Sequence, residues 1–192
     1  MKTSGRPKVV LLGMMSKHPV AGVAWQTLHY LVGLERLGFE PYYVEAGAHH
    51  PSSMLGGEED DDRSLSGYRD LARELKIYLN LGSLALRLTA EKAVNRSFLI
   101  GPSGDILARY DKIHMFDIDL GGGESYRESA NYQPGETAVI TDLPWGRLGM
   151  TICYDVRFPA LYRALAEAGA SFLTVPAAFT RKTGEAHWHT LL

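Results

Sequence analysis

The sequence predicts an α/β layered fold, and three observations carry the prediction. Apolar runs of strand length alternate with segments of helical period, hairpin signals join several of the runs, and glycines stand where the helical patterns end. Residues 8–15 (Lys-Val-Val-Leu-Leu-Gly-Met-Met) read as a buried strand. Over 24–37, Trp25, Leu28, Leu31, Val32 and Leu34 recur at helical spacing, Gly38 stops the helix, and Tyr42, Tyr43 and Val44 make a second strand. A polar stretch over 51–66 follows. It holds two glycines and the acidic run Glu58, Glu59, Asp60, Asp61 and Asp62, which reads as a solvated loop or linker.

Beyond it, a short helix near 67–75 places Tyr68, Leu71, Ala72 and Leu75 on one side. Strands are expected at 77–84, 98–100 and 106–108, the last two joined by Gly-Pro-Ser-Gly-Asp (101–105), a strong hairpin turn. Further strands are expected at 137–141, 147–152 and 171–175, with a helix at 159–168 closed by Gly169.

Composition excludes several function classes. Hydrophobic residues make up 45% of the chain and charged residues 22%, with a formal net charge of −2, so there is no basic surplus of the kind that binds nucleic acid. No run of eighteen apolar residues marks a membrane span, and the first eight residues carry no signal-peptide pattern, so a cytoplasmic protein is expected. The one cysteine precludes an internal disulfide and suits a reducing compartment.

That cysteine, Cys153, is the first candidate for chemistry. An apolar run from Leu148 to Ile152 stops at the sulfur, and Pro159 opens the helix beyond it. A thiol at the exit of a buried strand, with backbone N–H groups free just after it, has the exposure and the oxyanion donors a nucleophile needs. The competing reading of position alone is a buried core cysteine.

Three blocks decide between them. They are Arg-Tyr-Asp-Lys-Ile-His-Met-Phe-Asp (109–117), Tyr-Arg-Glu-Ser (126–129) and Thr-Ile-Cys-Tyr-Asp-Val-Arg-Phe-Pro (151–159). With Val-Pro-Ala-Ala-Phe-Thr (175–180) and Thr-Gly-Glu-Ala-His-Trp-His (183–189), they make the chain from about Tyr68 onward resemble the nitrilase, or carbon-nitrogen hydrolase, superfamily. The likeness is to the amidase branch that holds omega-amidase and deaminated glutathione amidase.

The resemblance implies a nitrilase-type α-β-β-α sandwich, here partial, and a hydrolase that cleaves linear amides through a cysteine thioester, releases ammonia and uses no cofactor. Cys153 is then the nucleophile, and Lys112 the electrophilic partner that also favours the thiolate. Glu128 is the glutamate that positions the lysine, and the Tyr154 backbone N–H an oxyanion donor. Tyr154 and Arg157, beside the nucleophile, are candidate substrate contacts, the arginine suiting a carboxylate-bearing amide.

Family members carry their base in a Pro-Glu context that this chain lacks. Glu45 closes the second strand, where the base belongs topologically, and is the candidate.

The first 55 residues do not look like that superfamily. Residues 13–34 instead resemble the strand-loop-helix of certain bacterial glycosyltransferase-like proteins. The expected organisation is therefore a glycosyltransferase-like segment at 1–55, an acidic linker at 56–67, and a carbon-nitrogen hydrolase domain at 68–192 that lacks the family's C-terminal third. Two alternatives stay open, an inactive chimeric fragment of such an amidase and a nucleotide-sugar binding module. The expected partner is a small-molecule amide, with neither nucleic acid nor membrane, and a homo-oligomer is allowed. His49 with His50, and His187 with His189, lack the accompanying ligand spacing of a zinc site, so no metal is expected. Gly121, Gly122 and Gly123 read as a turn shaping the pocket entrance.

Overall fold

The computed structural model describes residues 8–13, 32–33, 35–36, 38, 40–45, 58–59, 62–179 and 181–192, with the backbone alone for 8–13, 40–45, 63, 120, 124, 181–183 and 189. The first strand, β1 (Lys8–Gly13), pairs in parallel with β2 (Glu40–Glu45), so that Gly13 stands opposite Glu45. Most of the helix expected over 24–37 lies outside the described residues, as do His49 and His50.

Helix α1 (Arg63–Leu75) starts four residues before the expected position. The cause is the last acid of the acidic run: the Asp62 side chain accepts a hydrogen bond from the Leu65 N–H at 2.8 Å and caps the helix. Glu59 also departs from the solvated linker expected over 56–67. Its carboxylate takes Arg96 on one oxygen and Arg109 on the other, each at 2.6 Å. The acidic run is thus partly docked on the strands that follow.

Those strands form the central antiparallel sheet, in the order β3 (Leu79–Arg87), β4 (Ala93–Ile100), β5 (Ile106–Asp111). Strands β4 and β5 run longer than the apolar segments that signal them, and the added length is held by Arg96 and Asp111, which face each other across the ladder in a two-pronged ion pair, at 2.6 and 2.8 Å. A hairpin follows, β6 (Asp117–Gly121) and β7 (Glu124–Arg127), which the sequence reading did not assign. All three glycines of its turn have positive φ, +76°, +66° and +88° at 121, 122 and 123, a conformation that costs glycine little.

The second sheet has the order β10 (Phe172–Thr174), β9 (Gly146–Met150), β8 (Val139–Leu143), with β8 antiparallel and β10 parallel to β9. Helix α2 (Pro159–Glu167) lies between β9 and β10 in the chain, and helix α3 (Arg181–Leu191), also unassigned from sequence, ends it.

Two clusters fix the layering. Leu65 and Ala72 of α1 pack with Leu79, Leu81 and Leu86 of β3 and Phe98 and Ile100 of β4, covering one face of the first sheet. On its other face, Leu99 and Tyr110 meet Leu148, Met150 and Ile152, which joins the two sheets. Gly149 sits so close to Leu165 of α2 that an added Cβ would lie 3.2 Å from its Cδ1, so α2 covers the outer face of the second sheet. The resulting order is helix, sheet, sheet, helix, the layering of the expected sandwich.

Candidate active site

Lys112 follows β5 directly, and its main chain is held on both sides. Its N–H donates to the Asn95 carbonyl at 2.9 Å, and its carbonyl accepts from the Gly135 N–H at 2.8 Å. The side chain is buried, 3% exposed, and its ammonium pairs with the Glu128 carboxylate. Burying an ammonium is costly unless a counter-charge sits against it, and Glu128 supplies one. Glu128 is itself oriented: the oxygen that takes the lysine also accepts the Phe116 N–H at 2.6 Å, and the other lies 3.4 Å from the Asn95 amide nitrogen. A short 3₁₀ turn at Glu128–Ala130, directly after β7, carries the residue to this position.

Cys153 opens a 3₁₀ turn, Cys153–Arg157, at the exit of β9 and Ile152, close to where the apolar run predicts it. Its φ is +50°, a left-handed conformation that a residue with a Cβ adopts at a cost of about 1–2 kcal/mol. Its N–H donates to the Pro176 carbonyl at 2.9 Å, which ties the turn to the segment after β10. The thiol is half-buried, so the fully buried core reading does not hold.

Lys112, Glu128, Cys153 and Tyr154 all line one cavity of about 520 Å³, together with Asn95, Phe116, Arg127 and Phe179. Three blocks far apart in sequence thus bring an ammonium, a carboxylate and a thiol to a single concave site. Aromatic rings form much of the remaining wall. Tyr154 meets Phe116 and Phe158 edge to face, with ring centres 5.1 and 5.5 Å away.

Arg157 sits against the wall. Its guanidinium carbon lies 5.7 Å from the Tyr154 ring centre and 5.8 Å from that of Phe179, and it is not among the residues lining the cavity. Arg127 lines the cavity in its place, steadied by hydrogen bonds to the carbonyls of Ile118 and Tyr126. The Glu45 backbone ends β2 as expected, but its side chain lies outside the described residues, as does that of His189. His187 is exposed on α3. Among the described residues, no group of three or more His, Cys, Asp or Glu is placed to hold a metal ion.

Sequence reasoning missed the supports of the site. Asn95 and Phe116 orient Glu128, and Asp155, fully buried, accepts hydrogen bonds from the Tyr110 hydroxyl at 2.7 Å, the His114 N–H at 3.0 Å and the Ile152 N–H at 2.8 Å. Burial and the neighbouring Asp155 charge push the Tyr110 phenol well above the usual tyrosine range. Five of these residues, all but Asn95, lie inside the quoted blocks, but nothing in their spacing separates them from their neighbours.

The Carbon-nitrogen hydrolase family profile matches residues 31–192, and the chain belongs to that family. The match starts inside the segment expected to be foreign. The deaminated glutathione amidase of Yersinia enterocolitica is 49% identical over 127 residues, which is 65% of this chain and 44% of that protein. The crystal structure of the C. elegans NitFhit protein is 29% identical, with a TM-score of 0.68, over 98% of this chain and 48% of that one. A mutant of the amidase from Nesterenkonia sp. AN1, 29% identical with a TM-score of 0.54 over 64% of this chain and 44% of that one, shows covalent addition of an acetamide moiety at the active-site cysteine. The chain spans less than half the length of each of these relatives.

Proposed function

We propose that this protein hydrolyses linear amides, with Cys153 as nucleophile and Lys112 as the cation that stabilises the tetrahedral oxyanion. The observation that carries the reading is the convergence of Lys112, paired with Glu128, and Cys153 on one cavity in a chain of this family. In the first half-reaction the thiol proton passes to a base, the sulfur bonds to the amide carbon, and the carbonyl electrons move onto oxygen. The C–N bond then breaks, and the nitrogen leaves as ammonia with the proton returned to it. Water attacks the thioester carbon in the second half-reaction, and breaking the S–C bond frees the acid and restores the thiol.

Glu45 is assigned as the base, supported by its place at the end of β2. Glu128 holds the lysine, Tyr154 supplies its N–H to the oxyanion, and Arg157 acts through Tyr154 and Phe179. An amide bearing a carboxylate is the substrate class that fits, with Arg127 as the cation on the cavity wall. A cytoplasmic location accords with the one cysteine, and, among the described residues, no helix is long and apolar enough to cross a membrane. Self-association is supported by the exposed Trp145, Phe172 and Leu173 around the second sheet, and light scattering measures it.

An inactive relative of such amidases is the competing reading, since a working base is its open requirement. The glycosyltransferase-like reading of residues 1–55 has the resemblance of 13–34 behind it, and the family match from residue 31 weighs against it. Ammonia release from short primary amides separates hydrolysis from both. Turnover that disappears in Cys153→Ala supports the amidase, and turnover that persists in that variant overturns the covalent mechanism.

A further inference from the structure

We infer that Asp155 is a positioning residue that clamps the lysine-bearing segment onto the cysteine-bearing turn, and so sets Lys112 against Cys153. The inference rests on the reading of those two residues as reaction partners. Lys112 lies midway between Tyr110 and His114 in the chain, and Cys153 lies between Ile152 and Asp155. The Asp155 carboxylate binds both sets. One oxygen accepts from the Tyr110 hydroxyl at 2.7 Å and from the Ile152 N–H at 2.8 Å. The other accepts from the His114 N–H at 3.0 Å and lies 2.7 Å from His114 Nδ1.

Each carboxylate oxygen therefore reaches the lysine segment, and one of them also reaches the residue just before the nucleophile. Asp155 is completely buried, so no water competes for these bonds, and hydrogen bonds to a buried charge are the strong, directional kind. Phe158 stacks on one face of the same His114 ring, 3.6 Å between centres at 9°, so the ring is held at its edge and on a face. Asp155 also holds the Ile152 N–H at the entry to the strained φ of Cys153, so the strain and the clamp share one anchor.

A carboxylate that only stabilised the fold and one that positions Lys112 predict different results in a double-mutant cycle on thiol reactivity. Because Cys153 is the one cysteine, iodoacetamide labelling followed by mass spectrometry reads it without ambiguity. The quantity is the labelling rate of the parent protein divided by that of its Lys112→Met variant, measured at neutral pH. In the wild type this ratio is expected to be about tenfold, since a nearby ammonium speeds attack by the sulfur. Asp155→Asn should bring it to about one, and Tyr110→Phe, which deletes one donor, should lower it by about threefold.

A ratio that stays at the wild-type value in both backgrounds, with only the melting temperature lowered, reduces Asp155 to a structural role and overturns the clamp. A wild-type ratio of one overturns it as well. If Asp155→Asn does not fold, Tyr110→Phe and His114→Ala decide by the same criterion. Ammonia release assayed in parallel keeps the two readings apart. Cys153-dependent turnover with an insensitive ratio sinks the clamp alone, and a ratio that responds as expected without turnover upholds the clamp and sinks the amidase.

Discussion

The Lys112 ammonium and the Glu128 carboxylate form a buried ion pair across 16 residues of chain, with the lysine 3% exposed and the glutamate 16%. The pair explains how a cation is kept at an apolar, aromatic-lined cavity. Removing its partner should be felt twice. Glu128→Ala leaves the ammonium uncompensated and is expected to cost about 3–5 kcal/mol of stability. Glu128→Gln keeps the shape, costs less, and still lowers kcat because the lysine loses its anchor. Urea unfolding and ammonia release measure the two effects, and a glutamine variant with wild-type kcat would remove Glu128 from the machinery.

The backbone at Cys153 makes a second prediction that does not depend on the reaction. At φ +50° glycine is at ease and alanine is not. Cys153→Gly should therefore unfold at higher urea than Cys153→Ala, by about 1 kcal/mol, although it buries less surface. Neither variant should release ammonia from an amide. The reverse stability order would show that side-chain packing outweighs backbone strain at this turn.

Tyr110 gives a pH dependence whose sign is fixed. Burial and the adjacent Asp155 raise its value in the folded protein above the ordinary tyrosine value of 10.0. The stability it contributes is complete below that value, and it is lost as pH rises through it, because the unfolded chain ionises first. Each pH unit above it should remove about 1.4 kcal/mol for this one group. Burial raises Tyr68, Tyr132 and Tyr162 as well, so the wild-type slope sums several groups. Tyr110→Phe should make the alkaline slope shallower by one proton, read from urea midpoints at several alkaline pH values, and an unchanged slope would place the titration elsewhere.

Two glycines distinguish close approach from open space. An added Cβ at Gly135 would lie 2.3 Å from the Asp111 carbonyl oxygen, beside the hydrogen bond from Gly135 to Lys112. Gly135→Ala should destabilise by about 1–3 kcal/mol and lower kcat, since the lysine segment must move. Gly67, inside α1, has nothing within 4 Å of an added Cβ. Gly67→Ala should stabilise by about 0.5–1 kcal/mol and leave turnover unchanged, as thermal melts and the amide assay will show.

The strands that the sequence marks strongly are those whose apolar residues meet a neighbour on both faces, as Phe98 to Ile100 and Leu148 to Ile152 do between the sheets and their helices. The hairpin at 117–127 and helix α3 carry no such run; the hairpin is held by contacts such as the Asp117 carboxylate accepting from the Ser129 N–H at 3.0 Å, and α3 packs Trp188 edge-on against Phe179, ring centres 5.0 Å apart. The start of α1 is not legible in the sequence because a capping aspartate looks like any other acid in a run of acids.

By itself, then, the sequence determined the chemical types at the site, since Cys153, Lys112 and Glu128 stand in blocks whose order and spacing are specific. It determined the strand-exit position of the thiol through the apolar run that ends there. The tertiary structure alone decided which neighbours serve these groups: Asn95 and Phe116 for Glu128, and Asp155 with Tyr110 and His114 behind Cys153. It also set Arg157 against the aromatic wall and put Arg127 on the cavity. The physical reason is that a hydrogen bond between residues tens of positions apart leaves no period in the sequence, because it depends on how two sheets stack rather than on how one chain segment repeats.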